Sequence, residues 1–207
     1  MNAKTVAIAL GALGAGIAAV YAFGAWQEGS RREGASEGKL AEARDLLDAA
    51  AKDPTSAGAA DLRSRAARVA QEVIDASPSK ASAAWRLRGE AMLSSTRFAE
   101  AARSFDRALE GRFDPDTALL AGQAYERAYG TGHKGADLAS AFAHYERAAE
   151  GGAGAAAWVR AARLAASAGR GVELAQYAER LEKVAPGSAE AEEVRALVEA
   201  KPSGEKR

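Results

Sequence analysis

The sequence predicts an all-α fold in which short helices pair into hairpins and the hairpins stack in series as a helical-repeat superhelix. Three observations carry this expectation. Trp85, Gly89, Met92, Ala101, Phe105 and Ala108 are separated by four, three, nine, four and three positions, and Trp158, Ala162, Ala165, Leu174, Ala178 and Leu181 repeat the same steps. Steps of four and three keep residues on one helix face. The nine-residue step between triplets is not fixed by helical periodicity; a tight turn between two facing helices accounts for it. Composition is the second observation. Hydrophobic residues make up 48% and aromatics 6%, with much of the apolar count in alanine. Alanine is the strongest helix former and buries little area, which favours helices packed closely over one bulky core. The third is an uncharged run, Thr5–Trp26, that reads as a single transmembrane helix ahead of the repeats.

That run is the first element in order. As a helix its 22 residues would span about 33 Å, enough for a hydrocarbon core of about 30 Å. Tyr21, Phe23 and Trp26 end it as interfacial aromatics would. Residues 1–27 are therefore read as a membrane anchor through 5–26. The alternatives are a cleavable signal peptide, with Val20-Tyr21-Ala22 as the small-residue site, and a buried soluble helix, which four glycines and the lack of a polar face disfavour. Lys4 precedes the span and Arg31 and Arg32 follow it, so charge alone does not orient it. An uncleaved anchor followed by one folded domain usually leaves its N-terminus in the cytoplasm. The expected location is thus a single-pass protein with its repeats on the periplasmic or extracytoplasmic side, or a secreted one after cleavage. Gly11, Ala15 and Ala19 form a small-residue row that could face a second helix, or merely reflect an alanine-rich span.

Residues 28–36 are read as a polar, glycine-rich linker or as a fraying continuation of the anchor. The repeat domain is expected over 37–200. Ser36 is placed to cap a helix ending at Asp53-Pro54, and a second helix runs over about 57–76 and closes at Ser77-Pro78. This pair, 37–81, has a long inner turn. The second repeat, 82–114, carries the first six-point pattern, with Trp85 and Phe105 filling space between hairpins. In the third, 115–154, Ala118, Gly122 and Tyr125 are followed by Ala141, Tyr145 and Ala148 after a step of sixteen, so seven residues are inserted. They fall in a glycine loop, Tyr129–Gly135. The fourth, 155–188, carries the second six-point pattern. Ser188 caps a last helix, 188–200, whose polar outer face suits a terminal repeat. Residues 201–207 read as a disordered tail.

These residues resemble the tetratricopeptide repeat. In the third unit Gly122, Tyr125, the glycine loop, Asp137, Ala141, Tyr145, Ala148-Ala149-Glu150 and Gly151 resemble the Sel1-like variant. The resemblance covers about 37–200. It implies a superhelix with a concave groove lined by the first helix of each pair, and a role in binding peptides or proteins. On that face fall Arg86, Glu90 and Leu93, then Leu119, Gln123, Glu126 and Arg127, then Val159, Arg160 and Arg163. Guanidinium, amide and carboxylate groups among leucine and valine suit an extended peptide or a partner helix. The Lys/Asn set with which some members hold a C-terminal carboxylate is not evident. The alternative role is a structural subunit built permanently into a larger membrane complex, with no separate ligand.

Other classes find little support. The 28 basic and 28 acidic residues cancel, so no basic surplus exists for nucleic acid. Cysteine is absent, which excludes disulfides and thiolate sites. His133 and His144 have no second ligand one turn away, and each reads as a loop or half-buried histidine. Gly130-Thr131-Gly132 with Lys134 and Gly135 lacks the spacing of a phosphate loop, and no strand precedes it. The acidic residues alternate with arginines as on solvated helix faces. No catalytic, metal or cofactor site is expected.

Overall fold

The computed structural model describes residues 3–133 and 137–200, and for residues 3–22 and 24–26 the backbone only. Nine α-helices occur among the described residues: α1 Ala3–Lys52, α2 Ala57–Ala76, α3 Ala81–Ser94, α4 Phe98–Gly111, α5 Pro115–Gly130, α6 Leu138–Ala148, α7 Gly154–Ser167, α8 Gly171–Val184 and α9 Ala189–Ala200. A 3-10 turn, Pro78–Lys80, links α2 to α3, and a π-turn, Ala149–Ala153, links α6 to α7. No strand occurs among the described residues. Successive helices pack on one another, so α1/α2, α3/α4, α5/α6 and α7/α8 form a row of hairpins, with α9 laid across α7 and α8. This is an all-α array of stacked helical hairpins.

The small residues of the repeated pattern let the hairpins close. A Cβ built on Gly89 would lie 2.6 Å from a Phe105 ring carbon, and one on Gly122 would lie 2.6 Å from the Tyr145 ring. Phe105 and Tyr145 are fully buried against those bare backbones. In the last hairpin the large groups differ: Tyr177 stacks on Phe142 (6.0 Å between ring centroids) and tilts against Trp158 (5.8 Å). Trp158 is buried, as expected. Trp85 is not: it is half-buried at the edge of its hairpin, with the Arg88 guanidinium 5.3 Å over its ring. The inward positions of α3 are taken by Ala84, Leu87 and Ala91, which leaves the indole at the side.

Three turns share one construction. In each a residue with left-handed backbone follows the first helix: Thr96 (φ 59°), Gly132 (φ 71°) and Gly169 (φ 76°). The next amide donates to the carbonyl five residues back: Arg97 to Met92, His133 to Ala128, Arg170 to Ala165. This is the Schellman arrangement, which satisfies helix-end carbonyls and favours glycine at the left-handed site.

Several expectations are corrected. The linker at 28–36 is no linker: α1 runs through it without a break, and Ser36, 4% exposed, lies inside the helix rather than capping one. Gly29, Gly34 and Gly38 weaken a helix by about 1 kcal/mol each. No proline interrupts the run, however, and Arg32 pairs with Glu28 one turn away. Lys39 then ties α1 to Glu72 of α2 (2.6 Å), and Glu37 to Lys80 (2.7 Å). The inner turn of the first hairpin is short, residues 53–56, with Ser56 accepting from the Ala59 amide (3.1 Å). The glycine loop of the third hairpin starts later than expected, because α5, N-capped by Asp114, continues through Tyr129 and Gly130. Ser188 does cap α9, accepting from Ala191 (3.1 Å).

Among the described residues, no helix is long and apolar enough to cross a membrane. The span expected over 5–26, its small-residue row and the tail at 201–207 lie outside the residues whose side chains are described.

Candidate functional site

The first helices of the second, third and fourth hairpins, α3, α5 and α7, carry the residues expected in the groove. Arg86 donates to Glu90 (3.0 Å) and, from its other side, to Asp114 (2.9 Å), the N-cap of α5. It therefore ties α3 to the next hairpin. Glu90 also lines a cleft of about 420 Å³ between α1 and α3, with Leu47, Asp48, Ala51 and Ser94. Leu93 and Leu119 are half-buried and pack on the core. Gln123 is half-buried. Glu126 accepts a hydrogen bond from the Tyr145 hydroxyl. Arg127 is exposed and lies 5.7 Å over the Phe98 ring. Arg160 is exposed and forms no ion pair among the described residues, while Val159 is buried. Arg163 makes a two-pronged contact with Glu193 of α9 (2.6 and 2.8 Å).

The expected residues thus divide. Arg86 and Glu90 are in contact. Glu126, Arg127 and Arg160 gather around Tyr145: its hydroxyl titrates higher because of burial and the bond to Glu126, and both arginines act on it in the opposite sense. Arg163 belongs with the terminal helix.

Sequence reasoning missed a set of tyrosine–carboxylate bonds. The hydroxyls of Tyr125, Tyr145 and Tyr177 donate to Asp106 (2.6 Å), Glu126 and Glu146 (2.8 Å). The Tyr125 and Tyr177 bonds cross from one hairpin to the next; the Tyr145 bond closes a hairpin internally. Burial first, then the carboxylate partner, raises all three phenol pKa values. The clue lay in the sequence, as each acid follows an aromatic at twenty-residue intervals: Phe105-Asp106, Tyr125-Glu126, Tyr145-Glu146. Asp106 is shared. His144 Nε2 lies 3.1 Å from its other oxygen, and the imidazole stacks on Tyr125 (5.4 Å, 13° between planes). His144 Nδ1 is buried without a hydrogen-bond partner. Burial pushes the Asp106 carboxyl up, but the bonds from His144 and Tyr125 outweigh it and hold it below the usual aspartate range.

His133 is exposed beside Thr96, Arg97 and Thr131. Lys134 and Gly135, part of the glycine loop, lie outside the described residues. Among the described residues no group of three or more His, Cys, Asp or Glu could hold a metal ion.

The second hairpin also carries a concavity away from the expected groove. A cleft of about 370 Å³ on its outer face is walled by Trp85, Arg88, Arg103, Asp106, Arg107 and Glu110. It adjoins a wider one, about 1200 Å³, that shares Trp85, Arg107 and Glu110, extends past Arg112 and Phe113, and reaches Arg86 of the expected groove with Asp114 and Thr117.

The fold and these surfaces define an all-helical repeat array whose hairpins offer extended faces. No family model matches the chain, and no curated protein matches it. Among solved structures, pilF of Pseudomonas aeruginosa is similar at 22% identity and a TM-score of 0.47, covering 74% of this chain and 72% of that one.

Proposed function

We propose that this chain is a tetratricopeptide-type protein, with a Sel1-like third hairpin, that mediates protein–protein interaction or complex assembly at a cell envelope. Residues 5–26 anchor it in a membrane, and the repeats stand on the extracytoplasmic side. The concave face of α1, α3, α5 and α7 takes an extended peptide or a partner helix. One observation carries this reading: the 420 Å³ cleft between α1 and α3 combines Leu47 and Ala51 with the polar groups of Asp48, Glu90 and Ser94. Apolar side chains beside a few convergent polar ones are what a side chain of a bound peptide needs. Farther along the same face, Arg127 and Arg160 are exposed and without ion-pair partners among the described residues.

Photo-crosslinking tests the reading. A photoreactive residue replacing Gln123 in the full chain, expressed in its native membranes, should capture a discrete protein. One replacing Gln176, exposed on α8, should not. Capture from Gln176 but not Gln123 would favour the other role, a subunit built into a larger assembly. Release of the chain from membranes by alkaline carbonate would refute the anchor.

A further inference from the structure

We propose that the outer face of the second hairpin is a separate docking surface for an acidic segment of a protein partner, one presenting a carboxylate beside an apolar or aromatic side chain. Most charges around this face are already satisfied. Arg107 pairs with Glu110 (3.0 Å) and Lys80 with Glu37 (2.7 Å). Asp114 takes Arg86 and the amide of Thr117. Asp106, on the wall of the smaller cleft, accepts from Tyr125 and faces His144. What remains is one-sided. Arg88 and Arg103 form no ion pair among the described residues, in a chain whose charges sum to zero, while the charge of Arg112 already acts on Asp114. Arg88 bonds only to the Ser104 hydroxyl (2.8 Å), which leaves other guanidinium donors open.

The apolar part is as unusual as the charge. Trp85 is the large residue of α3 that the core does not absorb, and it forms the shared wall of both clefts. At the far end Phe113 is 37% exposed beneath the Arg147 guanidinium, at 4.7 Å. Indole and guanidinium groups side by side are the residue types that dominate interface energetics. An arginine fork also matches a carboxylate geometrically. The clefts have the size of a peptide segment, not of a single ion. Asp106 and Glu110 inside the walls select the partner class: they oppose a polyanion such as a phosphate backbone or an anionic membrane surface. One carboxylate between Arg88 and Arg103 avoids both.

The test uses the full chain in detergent micelles and displayed peptides of about twelve residues, the length of an extended or helical recognition segment. Selection should enrich Asp or Glu next to Phe, Leu or Trp. A selected peptide should shift the indole N–H resonance of Trp85 and not that of Trp158. Arg103→Glu, at an exposed residue without an ion pair, should weaken that peptide by about tenfold or more, as expected for losing a charge-assisted bond. Arg127→Glu, in the groove, should change it by less than about twofold. An unshifted Trp85 resonance, selection without acidic residues, no selection at all, or Arg103→Glu binding as tightly as the parent would each overturn the proposal. So would Arg103-dependent binding of phosphatidylglycerol vesicles or a DNA oligonucleotide in place of peptide. Loss of peptide binding through Arg127→Glu instead would support the groove and refute the outer face.

Discussion

Replacing Thr96 by glycine should stabilise the protein. Thr96 occupies the left-handed position of the α3–α4 turn, where the two other turns of the same construction have Gly132 and Gly169. A β-branched residue at positive φ is a true steric outlier, and the left-handed conformation costs an L-residue about 1–2 kcal/mol. The side chain is exposed and makes no hydrogen bond, so nothing is lost with it. Glycine carries an opposing cost, since it frees the unfolded chain by about 0.4–1 kcal/mol. The difference leaves Thr96→Gly more stable by about 0.5–1 kcal/mol. For a chain of this size that is about 1–4 °C in Tm. Urea unfolding followed by circular dichroism measures it: the midpoint should rise with the slope unchanged. The mirror substitution, Gly169→Thr, should lower the midpoint by a comparable amount, because it adds the same strain against the same restriction of the unfolded chain. A Thr96→Gly midpoint equal to or below the parent's would show that the turn does not bear the strain assigned to it.

Three further outcomes follow from other contacts. Gly122→Ala sets a methyl 2.6 Å from the Tyr145 ring and should cost about 1–3 kcal/mol in urea unfolding; adding Tyr145→Leu should recover part of the loss. Gly34→Ala, in the middle of α1 with nothing within 4 Å of the new methyl, should raise helicity and add up to about 1 kcal/mol of local stability, read by amide hydrogen exchange around residues 30–38. Asp106 titrates below its ordinary value in the folded chain, so it contributes stability above the ordinary aspartate pKa of about 4 that is lost as pH falls further. Asp106→Asn should therefore shallow the acid limb of the stability–pH curve below about pH 4, while an acid limb as steep as the parent's would show that the bonds from His144 and Tyr125 do not hold the charge.

What the sequence made legible followed from spacing. The four-three steps made readable which faces of paired helices meet, but Phe105 was expected to fill space between hairpins, and its ring instead lies on Gly89 of its own hairpin. Helix ends marked by Pro54, Pro78 and Ser188 were readable for local reasons, while the caps Ser56 and Asp114 emerge only from the structure. Trp85 was misplaced because its spacing matches that of Trp158, and spacing alone does not say which neighbour reaches the interior first. The helix through 28–36 reads in sequence as a linker because of Gly29, Gly34 and the nearby Gly38, although no proline breaks the run. Of the expected groove, Arg163 was claimed by a helix that pattern reading treated only as an end cap. The tyrosine–carboxylate bonds were missed because each joins residues nineteen or more positions apart, and only the stacking of hairpins reveals which phenol meets which acid.

Those bonds bear on how freely the array can be cut and rejoined. In many stacked-helix proteins a unit can be excised and its neighbours re-docked, since every junction is alike. Here Asp106 waits for Tyr125, and Tyr177 waits for Glu146. Removing residues 115–154 would bring Asp106 to the place of Glu146, whose position in α6 it matches in α4, so Tyr177 would still meet an acid, while the contact of Asp106 with His144 would be lost. Shortening this protein by one unit would therefore keep one acid–phenol bond and give up the imidazole beside it.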